Sequence, residues 1–268
     1  MKRATIGLLV LALTLGGAGQ VRAGFQTGLI GYWPFDGNGN DRSGNGRNLN
    51  LVGNPGFAPG LFGQALDLHG NGSQFAQRPV DDSLFRLGAS DFTIQIWVNF
   101  NSHDREQTLI EKFNGTSGPG WTMTTPGQHF QFYSIATGPI NSPDGLTTPG
   151  VWHDVIARRS GSTFDLIVDG GLVAAETRNR TLFGTSMPLL VGRRDSGDPR
   201  DFSVDGRLDE AAIWDRALTD TEIATLWNGG KGTPVINAAA APEPASLTLM
   251  GLGLAGLLGY GWRRRQRK

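Results

Sequence analysis

The chain has 268 residues, 40 of them glycine and none cysteine, with 24 basic and 24 acidic side chains. Without cysteine there is no disulfide, no thiolate nucleophile and no Cys-ligated metal. The zero net charge hides a split, because eight basic groups lie in residues 1–23 or after Ala241; residues 24–241 keep 16 basic and 23 acidic side chains, a net of −7, and so acidic a body argues against nucleic acid as a partner.

At the N-terminus, Lys2 and Arg3 precede an apolar stretch from Ile6 to Leu15, and Val21-Arg22-Ala23 stands just before Gly24. A basic start, a short apolar core and a small-x-small cleavage site describe a secretory signal peptide over residues 1–23. The mature body then begins at Gly24 and works outside the cytoplasm. Residues 24–228 are long enough for one domain with its own core.

Early in that body, Asp36-Gly-Asn-Gly-Asn-Asp41 clusters hard oxygen donors of the kind Ca²⁺ takes. The run begins like an EF-hand loop, but Arg47 stands at the twelfth position, where a glutamate is needed. The alternative is an Asx-rich turn whose side chains bond their own backbone.

Strands follow. In 92–100, Phe92, Ile94, Ile96, Val98 and Phe100 alternate with Thr93, Gln95, Trp97 and Asn99, which predicts a strand with one buried and one more open face. Phe164, Leu166 and Val168 repeat the alternation. Asp169-Gly170 then reads as a two-residue hairpin turn, with a return strand at 172–175. Further strands are expected at 29–35, 64–68, 108–112, 121–124, 130–134, 152–158, 189–191 and 207–214. Many short strands with frequent turns make an antiparallel sandwich the expected fold.

Among chemistry-bearing residues, Glu106 and Glu111 form an acidic pair of the kind glycosidases use. Their spacing of five places them on opposite faces of a regular strand, whereas retaining chemistry needs both carboxyls about 5 Å apart on one side. His69, His103, His129 and His153 show no metal-ligand spacing. Trp97, Trp121 and Tyr133 are the candidate ligand-binding aromatics, able to offer faces to sugar rings. Trp97 leads them, because it lies opposite the core face of its strand. Filling the sandwich is the competing role.

Towards the end, Thr219 and Glu222 make a capping box that starts a helix. Ile223, Leu226 and Trp227 give it an apolar face, and Gly229 ends it. Residues 229–241 read as a linker. Pro242-Glu243-Pro244 follows, then 16 apolar residues from Leu247 to Trp262, then Arg263-Arg264-Arg265-Gln266-Arg267-Lys268. As a helix, 16 residues span about 24 Å, short of the ~30 Å hydrocarbon core. The terminal charges stay cytoplasmic and hold the segment in the membrane; so short a run suits a transient stop, with an ordinary C-terminal membrane anchor as the alternative.

This tripartite end, 242–268, resembles the PEP-CTERM sorting signal of Gram-negative bacteria. The resemblance implies an exosortase as partner and a destination at the cell surface or in its exopolysaccharide matrix. The body has its own likeness. Tyr32-Trp33-Pro34-Phe35-Asp36-Gly37-Asn38, Phe62-Gly63-Gln64-Ala65-Leu66-Asp67, Asp91-Phe92-Thr93-Ile94, Gly150-Val151-Trp152-His153, and Leu208-Asp209-Glu210 through Arg216-Ala217-Leu218 resemble, in that order, the LamG-like jelly-roll domains of the concanavalin A-like lectins and glucanases. That implies an all-β jelly roll of two antiparallel sheets, usually non-catalytic and binding glycan or protein. It also implies a structural Ca²⁺, for which Asp36 and Asp209 match the acidic positions.

These readings converge on an exported, non-catalytic surface or matrix protein whose sandwich binds polysaccharide or another surface component. A glycoside hydrolase or lyase, and a purely structural extracellular protein, remain as alternatives.

Overall fold

The computed structural model describes residues 24–115, 118–194 and 202–236. The segment expected to be a signal peptide, the Pro242-Glu243-Pro244 motif, the apolar run and the basic tail lie outside the described residues. Among the described residues no helix is long and apolar enough to cross a membrane.

The chain runs through β1 (Leu29–Trp33), β2 (Asn50–Val52), β3 (Gly56–Pro59), β4 (Gln64–His69), β5 (Phe75–Arg78), β6 (Phe92–Phe100) and β7 (Thr108–Phe113). It continues through β8 (Gly120–Thr124), β9 (Gln131–Ser134), β10 (Gly138–Asn141), β11 (Trp152–Ser160), β12 (Thr163–Val168), β13 (Gly171–Thr177), β14 (Leu189–Val191) and β15 (Asp205–Trp214), and then forms helix α1 (Asp220–Trp227). Two antiparallel sheets result. One has the order β13-β12-β11-β6-β15-β4-β3, the other β10-β9-β8-β7-β14-β5-β2. The all-β sandwich expected from the strand pattern is the observed fold.

The alternation in β6 works as anticipated on its inner side. Phe92, Ile94, Ile96, Val98 and Phe100 are each at most 1% exposed. They meet the opposite sheet through ring contacts such as Phe92–Phe132 at 5.9 Å and Phe100–Phe130 at 6.2 Å. The outer side is different: Thr93, Gln95, Trp97 and Asn99 are buried as well. The expectation of an open face fails because both ends of the domain are laid across it. The Trp214 indole N–H donates to the Phe25 carbonyl. Thr93 Oγ1 accepts from the Leu218 amide and donates to the Arg216 carbonyl. Trp227 of α1 stacks on Trp97 with centroids 5.5 Å apart and planes 15° apart.

β15 organises this sheet. Along one edge it pairs with β6. Along the other, its first half pairs with β4 and its second half with β1, from Leu29↔Trp214 to Trp33↔Ala211. The first and last strands of the domain are therefore neighbours. The capping box forms as expected: Thr219 accepts from the Glu222 amide and the Glu222 carboxylate accepts from the Thr219 amide, at 2.8 Å. The helix closes on Asn228 in the left-handed conformation, one residue before the expected glycine stop. Of the expected linker, residues 229–235 lie against the sandwich. The Thr233 hydroxyl donates to the Thr225 carbonyl, and Val235 is buried.

Candidate functional site

The three aromatics expected to bind ligand are dispersed. Trp97 is 1% exposed beneath Trp227. Trp121 is fully buried, its indole N–H donating to the Phe85 carbonyl at 2.7 Å. Neither has a free face for a sugar. Both are corrected to packing roles, Trp97 because α1 covers it and Trp121 because it points into the sandwich. Tyr133 keeps a half-buried ring on the outer face of β9, edge-on to Phe113.

Asp36 and Asp209 do come to a shared place, the loop between β3 and β4. Asp209 Oδ2 accepts from the Leu61 and Phe62 amides at 2.8 and 3.4 Å, and its Oδ1 accepts from the Glu210 amide at 2.9 Å. Asp36 Oδ1 accepts from the Gln64 amide at 2.9 Å. A Cβ on Gly60 would lie 2.5 Å from Asp209 Oδ2, and one on Gly63 would lie 2.0 Å from Asp36 Oδ1, so the loop approaches both carboxylates only because it carries glycines there. Backbone amide hydrogens are aimed at both Asp209 oxygens and at Asp36 Oδ1, three of the four oxygens a shared cation would use, and no group of three metal-capable side chains occurs among the described residues. The expected clasp is made of hydrogen bonds between the chain's own groups.

Beside Asp209 lies a buried acidic neighbourhood that the sequence did not reveal. Glu210, at a left-handed φ of 51°, turns back and accepts from the Tyr32 hydroxyl at 2.8 Å. Burial, with Glu210 adding to it, pushes Asp209 up to about 8. Burial likewise pushes Glu210 up to about 7 and raises the Tyr32 phenol well above its usual range. A third raised carboxyl, Asp154, lies under the same face, also at about 7 by burial. It accepts from Gln95 Nε2 at 2.9 Å. Tyr32, Asp154, Asp209 and Glu210 are each at most 3% exposed.

The acidic pair Glu106 and Glu111 does not sit as its spacing implied. The β7–β8 register shifts between Thr108 and Ile110, an extra residue on β7. That bulge rotates the strand, and one guanidinium reaches both carboxylates: Arg194 Nη2 lies 2.9 Å from Glu106 Oε1 and its Nε lies 3.4 Å from Glu111 Oε2. Thr124 Oγ1 also donates to Glu106. The expectation of opposite faces is thus corrected by a bulge. Glu111 is fully buried. A cation in contact with both carboxylates uses the oxygens that acid, base or nucleophile would need.

An open pocket of about 290 Å³ lies at one end of the sandwich, lined by His103, Gln128, Gly145, Thr147, Thr148 and Pro149. Three connections build it: the loop after β6, the β8–β9 loop and the segment leading into β11. They are tied together by backbone bonds from the Gly145 amide to the Gln128 carbonyl at 2.7 Å and from the Gly150 amide to the Phe100 carbonyl at 2.8 Å. His153 accepts from the Thr148 amide through Nε2 and holds Asp169 through Nδ1. His103 packs edge-on against Phe100. Its Nδ1 meets the Thr147 hydroxyl at 3.3 Å, and its solvent-shielded Nε2 has no partner. Burial, with neighbouring His129 adding to it, holds the His103 imidazole below its usual range and therefore neutral at pH 7. The sequence offered no periodic signal for this site, because its residues come from three loops.

The fold and the C-terminal segment both have counterparts among known proteins. The profile of the concanavalin A-like lectin/glucanases superfamily matches residues 70–224, and that of the PEP-CTERM protein-sorting motif matches residues 240–265. No curated protein matches the chain in sequence. Among solved structures, the binding domain of Paraclostridial mosquitocidal protein 1 is similar at 18% identity and a TM-score of 0.63, covering 76% of this chain. The chain spans about half, 52%, of that neighbour's length. Domain 4 of an extracellular arabinanase from Geobacillus stearothermophilus, solved with arabinotriose, is similar at 19% identity and a TM-score of 0.57, covering 73% of this chain and 96% of the domain. Trypanosoma rangeli sialidase, solved with sialic acid, is similar at 17% identity and a TM-score of 0.58, covering 77% of this chain and 34% of the enzyme. At these identities the likeness is one of fold. The profile match and the two-sheet sandwich together make the chain a member of the concanavalin A-like lectin/glucanases superfamily, carrying a PEP-CTERM sorting motif at its C-terminal end.

Proposed function

We propose that this is an exported, non-catalytic glycan-binding protein of the bacterial cell surface or its exopolysaccharide matrix. The observation that carries the reading is the union, in one chain, of a lectin-type sandwich with a sorting motif. The basic stop and the short apolar run suit a transient passage through the inner membrane of a Gram-negative cell, where an exosortase processes the tail. The ion pairing of Glu106 and Glu111 with Arg194 supports a binding role over a hydrolytic one. A broad glycan array probed with the protein tests the reading. Reproducible hits on one glycan class are the expected result. A blank array together with self-assembly of the purified protein would point instead to a structural component.

The bulge in β7 favours one competing reading. By bringing Glu106 and Glu111 to a common cation, it reproduces part of a glycosidase arrangement. If Arg194 gave way to a substrate, the pair would face a glycosidic bond. Polysaccharide hydrolysis that disappears in both Glu106→Gln and Glu111→Gln would establish that enzyme and overturn the binding reading.

A further inference from the structure

We propose that the pocket around His103 holds a single neutral sugar residue, the terminal unit of a glycan rather than a ring within a passing chain. The proposal rests on the glycan-binding reading and assigns it a site.

The chemistry of the lining carries the argument. None of the six lining residues has a permanent charge. Gln128 offers an amide with donors and an acceptor, and Thr147 and Thr148 offer hydroxyls, each able both to give and to receive. The imidazole is kept uncharged by burial. A carboxylated or phosphorylated ligand finds no cation there, whereas a polyhydroxylated ring finds donors and acceptors of matching kind. One polar atom already lacks a partner: His103 Nε2 is shielded from solvent and unbonded.

Size and shape narrow the occupant. A volume of about 290 Å³ lies at the bottom of the roughly 300–1,000 Å³ range of small-molecule sites. That suits one ring with the next unit at the mouth. Below the pocket, Phe100 and Phe130 are fully buried and pack against His103 and His153, respectively. They give the site a floor, so a chain cannot thread through it, and they leave no aromatic face open for stacking. Recognition therefore depends on hydrogen bonds to ring hydroxyls. The backbone bonds that hold Gly145 and Gly150 fix the walls before a ligand arrives, which lowers the ordering cost of binding.

The test uses the full chain, purified in mild detergent. Glucose, galactose, mannose, xylose and arabinose are screened by saturation-transfer NMR, with sialic acid as the charged counterpart, and any binder is titrated calorimetrically. The expected result is binding of at least one neutral sugar and none of sialic acid. Gln128→Ala and Thr148→Ala remove exposed side chains, so they should leave the melting temperature unchanged while weakening the sugar about tenfold each. Neutral-sugar binding that survives both substitutions would move the site elsewhere and leave the glycan reading standing. Binding of sialic acid alone, or array hits confined to internal chain segments, would overturn a neutral, end-on pocket. Silence in both the sugar panel and the array would remove the pocket and the glycan reading together.

Discussion

Two regions bury carboxylates, and they solve the problem in opposite ways. On the outer side of β7, Glu106 and Glu111 share the guanidinium of Arg194. On the outer side of the β6 sheet, Asp154, Asp209 and Glu210 lie under the two ends of the domain with neutral partners: backbone amides, the Gln95 amide and the Tyr32 hydroxyl. In the first region a cation stabilises the charge. In the second, burial favours the protonated acid, held by hydrogen bonds alone. The two regions should therefore answer differently to mutation, to pH and to metal.

The largest effect belongs to the first region. Arg194→Met keeps the stem that packs against Phe202, where the guanidinium now sits 4.4 Å from the ring centroid, but takes away the shared cation. Removing one partner of a buried ion pair typically costs about 3–5 kcal/mol, which urea unfolding measures directly. In the double variant Arg194→Met/Glu111→Gln most of that loss should return. If the two losses simply add, Arg194 is not what stabilises Glu111, and the contrast between the regions collapses.

How these regions read from sequence explains why one was anticipated only in part. The strand alternation, the Asp169-Gly170 turn and the Thr219/Glu222 capping box are local, and each appears where expected. Both turn residues have positive φ, 53° and 73°, as a tight hairpin requires. Four short strands were missed: β2, β3, β5 and β10. β3 and β10 each begin with glycine and contain a proline, which masks the alternation, and proline is tolerated there because both lie at sheet edges. What covers a face is not local. Nothing in Thr93-Ile94-Gln95-Ile96-Trp97 announces that Trp227, 130 residues later, will lie on it. The bulge that reunites Glu106 and Glu111 is a property of strand pairing, so residue spacing alone misplaced them. Asp36 and Asp209 meet around the loop between β3 and β4, where their partners are the amides of a glycine-bearing segment.

That loop gives the next prediction in size. Asp209→Ala leaves the Leu61 and Glu210 amides without their acceptor, at about 1–3 kcal/mol for each buried group left unsatisfied. Asp36→Ala removes only an exposed bond to Gln64 and should cost less than 1 kcal/mol. Because the amides already occupy these oxygens, melting curves with calcium and with chelator should coincide. A higher melting temperature in calcium, lost in Asp209→Ala, would restore the ion clasp and reverse this part of the comparison.

The smallest effect is the most diagnostic. Asp154, Asp209 and Glu210 have folded-state values of about 7, 8 and 7, above ordinary values of 3.8, 3.8 and 4.5. Between those limits the folded protein holds protons that the unfolded chain releases. Stability from these groups is therefore complete below about pH 4 and is lost as pH rises through 7 to 8, so melting temperature should fall from pH 5 to pH 8. Asp154 is the simplest of the three to test, since Gln95 is its side-chain hydrogen-bond partner and burial is the main cause of its elevation. In Asp154→Asn the amide oxygen still accepts from Gln95 Nε2, and the new N–H₂ can reach Gln95 Oε1, which has no partner in the wild type. The variant should be more stable than wild type at pH 8 by about 1 kcal/mol, with a smaller gain at pH 5, where the carboxyl is mostly protonated in the fold. An equal gain at both pH values would mean that packing, not protonation, sets the stability of this face.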